Sequence, residues 1–201
     1  MPYFEVTHNG VFLARAGAPD ISVITAHVTV TVEGGASLGI HGMRSTESKR
    51  EHFNWVSQNL RPGDQVEIVY LAEGGEATPP RSTSARDITN IEEELQRIQG
   101  ELREFEAKAS KQPAPKPRSW TRAPRPRLLK ISTNQTSALD ASLGDEQHLQ
   151  AVLNFTSLGC VLEVDALTVL EDGDTKGKRW LRENLESGDY VRIALSGRGD
   201  R

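Results

Sequence analysis

Two histidines, His27 and His41, stand on the polar faces of two neighbouring stretches that alternate apolar and polar residues. Paired as a hairpin, those stretches set the imidazoles opposite each other, where they could share a zinc ion or an anion. The sequence offers no third ligand, and a later copy of the region has Val152 and Asp165 at the matching places. Solvent-facing histidines are the expectation. Asp64 and Asp189 each follow a glycine and could make a carboxylate pair for acid–base work. They lie in different copies and each opens a strand, so a turn role is expected. Cys160, at a hairpin end with no histidine fixed beside it in sequence, reads as a small, partly buried residue rather than a nucleophile. His52 and His148 have no acid or nucleophile partner in view. The Gly-Gly pairs at 34–35 and 74–75 do not open helices as phosphate loops do. Asp172-Gly173-Asp174 resembles a fragment of a calcium loop without its later acidic ligand.

The remaining chemistry is electrostatic. Residues 111–127 carry six bases and no acid, although the net charge of the chain is -4. Within them QPAPKPRSWTRAPRPR is a Pro-rich extended spacer. Lys116, Arg118, Arg122, Arg125 and Arg127 could follow a phosphate backbone while Trp120 stacks a base. The plainer reading is a solvated spacer between acidic flanks. The prolines have PxP spacing, so the PxxP pattern of SH3 ligands is absent.

The elements that must hold these residues come from a duplication. WVSQNLRPGDQVEIVYL, from Trp55 to Leu71, returns as WLRENLESGDYVRIALS, from Trp180 to Ser196, at an offset of 125. A repeat sets the architecture before any other signal. Trp55, Val56 and Leu60, like Trp180, Leu181 and Leu185, predict one side of a short helix. Pro62-Gly63 and Ser187-Gly188 end it. A strand follows, with Val66 and Ile68, or Val191 and Ile193, on its apolar face. Both tryptophans are expected as core plugs.

Upstream, Phe4 to Thr7 alternates and meets His8-Asn9-Gly10, a hairpin signal. Ala26, Val28, Val30 and Val32 share a face, and Leu38 and Ile40 resume it after a glycine turn. Matching faces pairs Val28 with Ile40 and Val30 with Leu38. Phe4, Val6, Asn9, Asp20, Ala26 and Val28 align with Leu129, Ile131, Asn134, Asp145, Ala151 and Leu153. Leu153 and Phe155 should then face Val164 and Leu162. In the second copy Gly10 has become Gln135, so its first hairpin has lost its signal. Each copy predicts β-β-β-β-α-β with the last strand parallel to a neighbour.

Between the copies Ile88, Ile91, Leu95, Ile98, Leu102 and Phe105 follow heptad spacing. They predict an amphipathic helix that meets a coiled-coil partner, self-associates, or docks on its own domain. The organisation expected is a first α+β repeat over 1–82, a helix over 83–111, a basic linker over 112–127 and a second repeat over 128–201.

FEVTHNG and the Trp55–Leu71 stretch resemble a group of small uncharacterised bacterial proteins. Those have an FEVxxNG start and a Wxxx(N/D)LxxGDxVxI ending, usually in one copy. The resemblance covers residues 4–71 and, more weakly, 129–195, and it implies no activity. A single cysteine excludes an intrachain disulfide. No apolar run reaches membrane-spanning length and no signal peptide is read, so a cytoplasmic location is expected. No metal or cofactor is implied. The reading is a non-catalytic protein-interaction factor of inhibitor, immunity or adaptor type. The alternatives are nucleic-acid binding through the linker, and an unrecognised hydrolase or metal-dependent enzyme.

Overall fold

A computed structural model describes residues 1–32, 35–73, 75–87, 100, 126–143, 146–169 and 175–197. Thirteen strands run through them: β1 (Tyr3–His8), β2 (Val11–Ala16), β3 (Val23–Thr31), β4 (Ala36–Ser45), β5 (Lys49–Asn59), β6 (Gln65–Leu71), β7 (Ser82–Asp87), β8 (Pro126–Thr133), β9 (Leu139–Ser142), β10 (His148–Thr156), β11 (Gly159–Val169), β12 (Thr175–Leu185) and β13 (Tyr190–Gly197). They form two antiparallel sheets, ordered β2-β1-β6-β13-β8-β9 and β12-β11-β10-β3-β4-β5-β7. The inner faces are the alternate aliphatic positions of each strand. Val6, Ile68, Ile131 and Ile193 of one sheet, and Ala26, Val28, Leu153 and Leu162 of the other, are all at most 1% exposed. This is one apolar layer between two sheets.

The α+β class is overturned, since no helical element and no coiled coil occur among the described residues. The stretches read as helices are β5 and β12. Their cause is a β-bulge: Ile40 pairs with Val56 and His41 with Asn54, which skips Trp55. The same irregularity between Val164 and Asp165 skips Trp180. A bulge turns two adjacent residues to the same side, so Trp55-Val56 and Trp180-Leu181 mimic a helical cluster. The expected parallel crossover is absent too, because β6 pairs antiparallel with both β1 and β13. The first residues of the expected 83–111 helix belong to β7, paired with β5. Heptad positions Ile88, Ile91, Leu95, Ile98, Leu102 and Phe105 lie outside the described residues. The spacer yields Pro126 and Arg127 to β8.

Both sheets take strands from both copies, and the register shows how. Glu67 pairs with Arg192, and His27 pairs with Val152. In each pair the second number is the first plus 125, the offset of the repeat. Around them Val66 meets Ile193 while Ile68 meets Val191, and Ala26 meets Leu153 while Val28 meets Ala151. That reciprocity is the mark of a two-fold relation. An approximate two-fold axis therefore runs through the middle of both sheets.

Asn9 and Gly10 have φ of 52° and 77°, the left-handed pair that a tight hairpin needs. The pairing of β3 with β4 is two residues off the expected register. Ala26 meets Ile40, Val28 meets Leu38 and Val30 meets Ala36. A shift of two keeps every side chain on its face, and Thr31 N–H donating to Gly35 O at 2.9 Å sets the turn responsible. In the second copy Thr156 meets Gly159, so Leu153 faces Leu162 and Phe155 faces Cys160.

Candidate interaction site

Two polar pairs common to both copies, Asn9 with Asn134 and Asp64 with Asp189, hold backbone. The Gln65 N–H donates to Asn9 Oδ1 at 2.8 Å, and the Tyr190 N–H donates to Asn134 Oδ1 at 2.8 Å. The Arg61 N–H donates to Asp64 Oδ2 at 2.7 Å, and the Glu186 N–H to Asp189 Oδ2 at 2.8 Å. Gly63 and Gly188 carry φ of 93° and 95° in turns closed by Asp64 N–H on Arg61 O and Asp189 N–H on Glu186 O, both 3.0 Å. Pro62 before Gly63 suits the second and third positions of a type II turn. The turns also reach across the axis. Gly63 N–H donates to Leu195 O and Gly188 N–H to Tyr70 O, both at 2.8 Å.

Around Asp64 the first copy adds His8, whose Nε2 lies 3.3 Å from Asp64 Oδ2 without hydrogen-bond geometry. Burial pushes the Asp64 carboxyl up, but the Asn9 amide, the Arg61 N–H and the His8 charge together hold it below the usual range. His8 Nδ1 is 3.2 Å from Gln58 Nε2. At the matching place in the second copy, Thr133 Oγ1 and Thr136 Oγ1 donate to Glu183 at 2.6 and 2.8 Å. One copy therefore has a histidine and an amide where the other has hydroxyls and a carboxylate.

His27 and His41 do come together, diagonally rather than opposite, because His27 pairs with Gly39 and His41 with Thr25. Their rings stack at 5.4 Å between centroids, 18° from parallel. A Cβ at Gly39 would overlap the His27 ring and come within 2.9 Å of His41 Nε2. Glycine between them is what admits the stack. Burial first, then the His41 charge, lowers the His27 pKa. Among the described residues no group of three or more metal-ligating side chains forms. Beside His41 a shallow hollow of about 280 Å³ is lined by His52, Asn54, Ser82 and Ser84.

Cys160 is 3% exposed, and burial, with the Asp189 charge, pushes its thiol up to about 12. It is a core residue that stays a thiol at neutral pH. Lys116, Arg118, Trp120, Arg122 and Arg125 lie outside the described residues, as does Asp172-Gly173-Asp174. Arg127 falls within β8.

The two tryptophans differ in a way that the sequence alone did not reveal. Trp55 is 2% exposed, and its Nε1 donates to Thr78 O at 2.9 Å. The segment that supplies this carbonyl binds the opposite sheet as well: Thr78 N–H donates to Arg15 O at 2.9 Å, and Arg15 N–H to Thr78 Oγ1 at 2.9 Å. It then continues through Arg81 N–H, which donates to Asn54 O at 2.8 Å, into β7. One side of the first copy is thus closed by an extended strap. Trp180 Nε1 is buried with no hydrogen-bond partner among the described residues, and among them β12 ends its sheet, paired with β11. Lys176, Lys178 and Arg179 are exposed along it.

Fold and site together define an antiparallel β-sandwich in which tandem copies share both sheets. No family model, no curated protein and no solved structure matches the chain. No helix among the described residues is long and apolar enough to cross a membrane.

Proposed function

We propose that this chain is a non-catalytic protein-interaction factor, of inhibitor, immunity or adaptor type, acting in the cytoplasm. One observation carries the reading. Asn9, Gly63 and Asp64, with their counterparts Asn134, Gly188 and Asp189, are taken up by main-chain hydrogen bonds and turns. What the duplication preserved is therefore a scaffold. Among the features that differ between the copies, the stacked His27 and His41 lie on an outer face and Lys176 and Lys178 on a sheet edge, where sandwiches meet other proteins. The motif resemblance, a unit usually present once and here in tandem, belongs to the same proposal.

The test is affinity capture on the immobilised full chain, with and without nuclease, alongside a panel of ester, phosphoester and peptide substrates. A discrete protein retained after nuclease supports the reading. Retention that disappears with nuclease would move the function to the basic spacer, and steady turnover of any substrate would replace it with an enzyme.

A further inference from the structure

We propose that the side of the sandwich between β9 and β12 is a docking groove for an extended, acidic segment of a partner protein. This rests on the reading of the chain as an interaction factor and says where and how the contact is made. The two-fold relation supplies the template. In the first copy the strap bonds to Arg15 of edge strand β2, to the Trp55 indole and to the Asn54 carbonyl, then pairs with β5. Adding 125 carries these positions to Asp140 on edge strand β9, Trp180, Arg179 and the outer edge of β12. Asp140 pairs with Lys130 on its inner side, as Arg15 pairs with Glu5, so the edges correspond with their charges exchanged.

Every group that receives the strap in the first copy has a counterpart, and the most telling is the Trp180 indole N–H. A buried donor without an acceptor is destabilising, and its twin Trp55 donates to a main-chain carbonyl on an extended segment. Main-chain pairing with a sheet edge gives affinity without a specific sequence, and side chains select the segment. Ser82, Thr83, Ser84 and Ala85 pair with Asn54, Phe53, His52 and Glu51. An incoming strand in the same register would meet Arg179, Lys178, Gly177 and Lys176. Arg179 and Arg182 already engage Glu163 and Asp165. Lys178 Nζ lies 3.7 Å above the Trp180 ring and, with Lys176 and Glu146, lines a hollow of about 240 Å³. Two lysines on an edge with no partner strand among the described residues favour carboxylates opposite them, at the places of Thr83 and Ala85 in the template.

The probe is a fluorescent peptide copied from residues 77–87 with Thr83→Glu and Ala85→Glu, titrated onto the full chain. Saturable binding is expected, weakened about tenfold or more by the paired Lys176→Glu and Lys178→Glu changes. The indole N–H resonance of Trp180, assigned by its loss in Trp180→Phe, should move as a hydrogen bond forms. A peptide with proline at the place of Ser84 should bind poorly, because proline cannot pair. No binding, or binding indifferent to the proline and to both lysines, would overturn the proposal. So would a concentration-dependent dimer of the chain that Lys178→Pro abolishes, since the edge would then belong to a second copy. If the doubly substituted chain captures the same nuclease-resistant protein as the wild type, the edge assignment fails while the interaction reading stands.

Discussion

Glu67 and Arg192 are the same position in two copies of one motif, and they are bonded to each other. Arg192 Nε donates to Glu67 Oε2 at 3.0 Å across the β6–β13 ladder. A residue that faces its own duplicate sits on the symmetry axis, and identical charged residues there would face like against like. Glu67→Arg should therefore lower the melting temperature, and adding Arg192→Glu should restore it. Both side chains are partly solvated, so the effect should shrink as salt is added. Equal melting of the single and double variants at low salt would show that the pair contributes nothing.

The sharing of both sheets predicts how the halves behave when separated. Cleaving the chain within 88–125 should leave residues 1–87 and 126–201 associated through β3–β10 and β6–β13. Expressed alone, each half leaves two strands with an unpaired inner edge, β3 and β6 or β10 and β13, and should aggregate or remain unfolded. Gel filtration and far-UV circular dichroism of each half decide this. A monomeric half with its own cooperative melt would contradict the shared sandwich.

Trp55 and Trp180 should differ in cost when truncated. Trp55→Ala removes a ring that is 2% exposed and empties a site against Phe53, which should cost about 3–5 kcal/mol. Trp180→Ala removes a half-buried ring whose N–H has no acceptor, so the loss should be distinctly smaller. Urea denaturation of both variants measures the difference, and equal losses would mean that the unpaired donor makes no difference.

His27 should make stability depend on pH. Its folded pKa lies below the ordinary 6.5, so the unfolded chain takes up the proton more readily. That contribution to stability is complete above about pH 6.5 and is lost as the pH falls toward the folded value. His27→Val, which copies Val152, should flatten this part of the profile, and urea midpoints on either side of pH 6.5 would show it. An unchanged slope in the variant would place the dependence on another group.

Turns and apolar faces were legible in the sequence, and the partnering of sheets was not. Asn9-Gly10 announced its hairpin because the pair tolerates positive φ, and Val28 and Leu38 announced a buried face by alternation. Trp55-Val56 misled because a bulge breaks the period of two, leaving a cluster that suits a helix equally well. The choice between two small folds and one interlocked fold lies in long-range pairs such as Val66 with Ile193, which local pattern does not encode. The same limit hid the β12 edge. Its residues look like those of β5, and what separates them is that the Trp55 indole has the Thr78 carbonyl as acceptor while the Trp180 indole has none among the described residues.

The reciprocal turns have a consequence for synthesis on the ribosome. Gly63 bonds to Leu195 and Gly188 to Tyr70, so the β6–β13 ladder does not close until β13 has been made. At about 5–20 residues per second, the interval between completion of Leu71 and of Gly197 is roughly 6–25 s. Throughout it β6 presents a bare hydrogen-bonding edge to the surrounding solution, and β3 does so until β10 is made. On a polysome, the nearest matching edge belongs to the neighbouring nascent chain, whose β3 carries the same residues about His27. Codon usage and chaperone access across the segment between the copies thus bear directly on whether the chain closes on itself or on its neighbour.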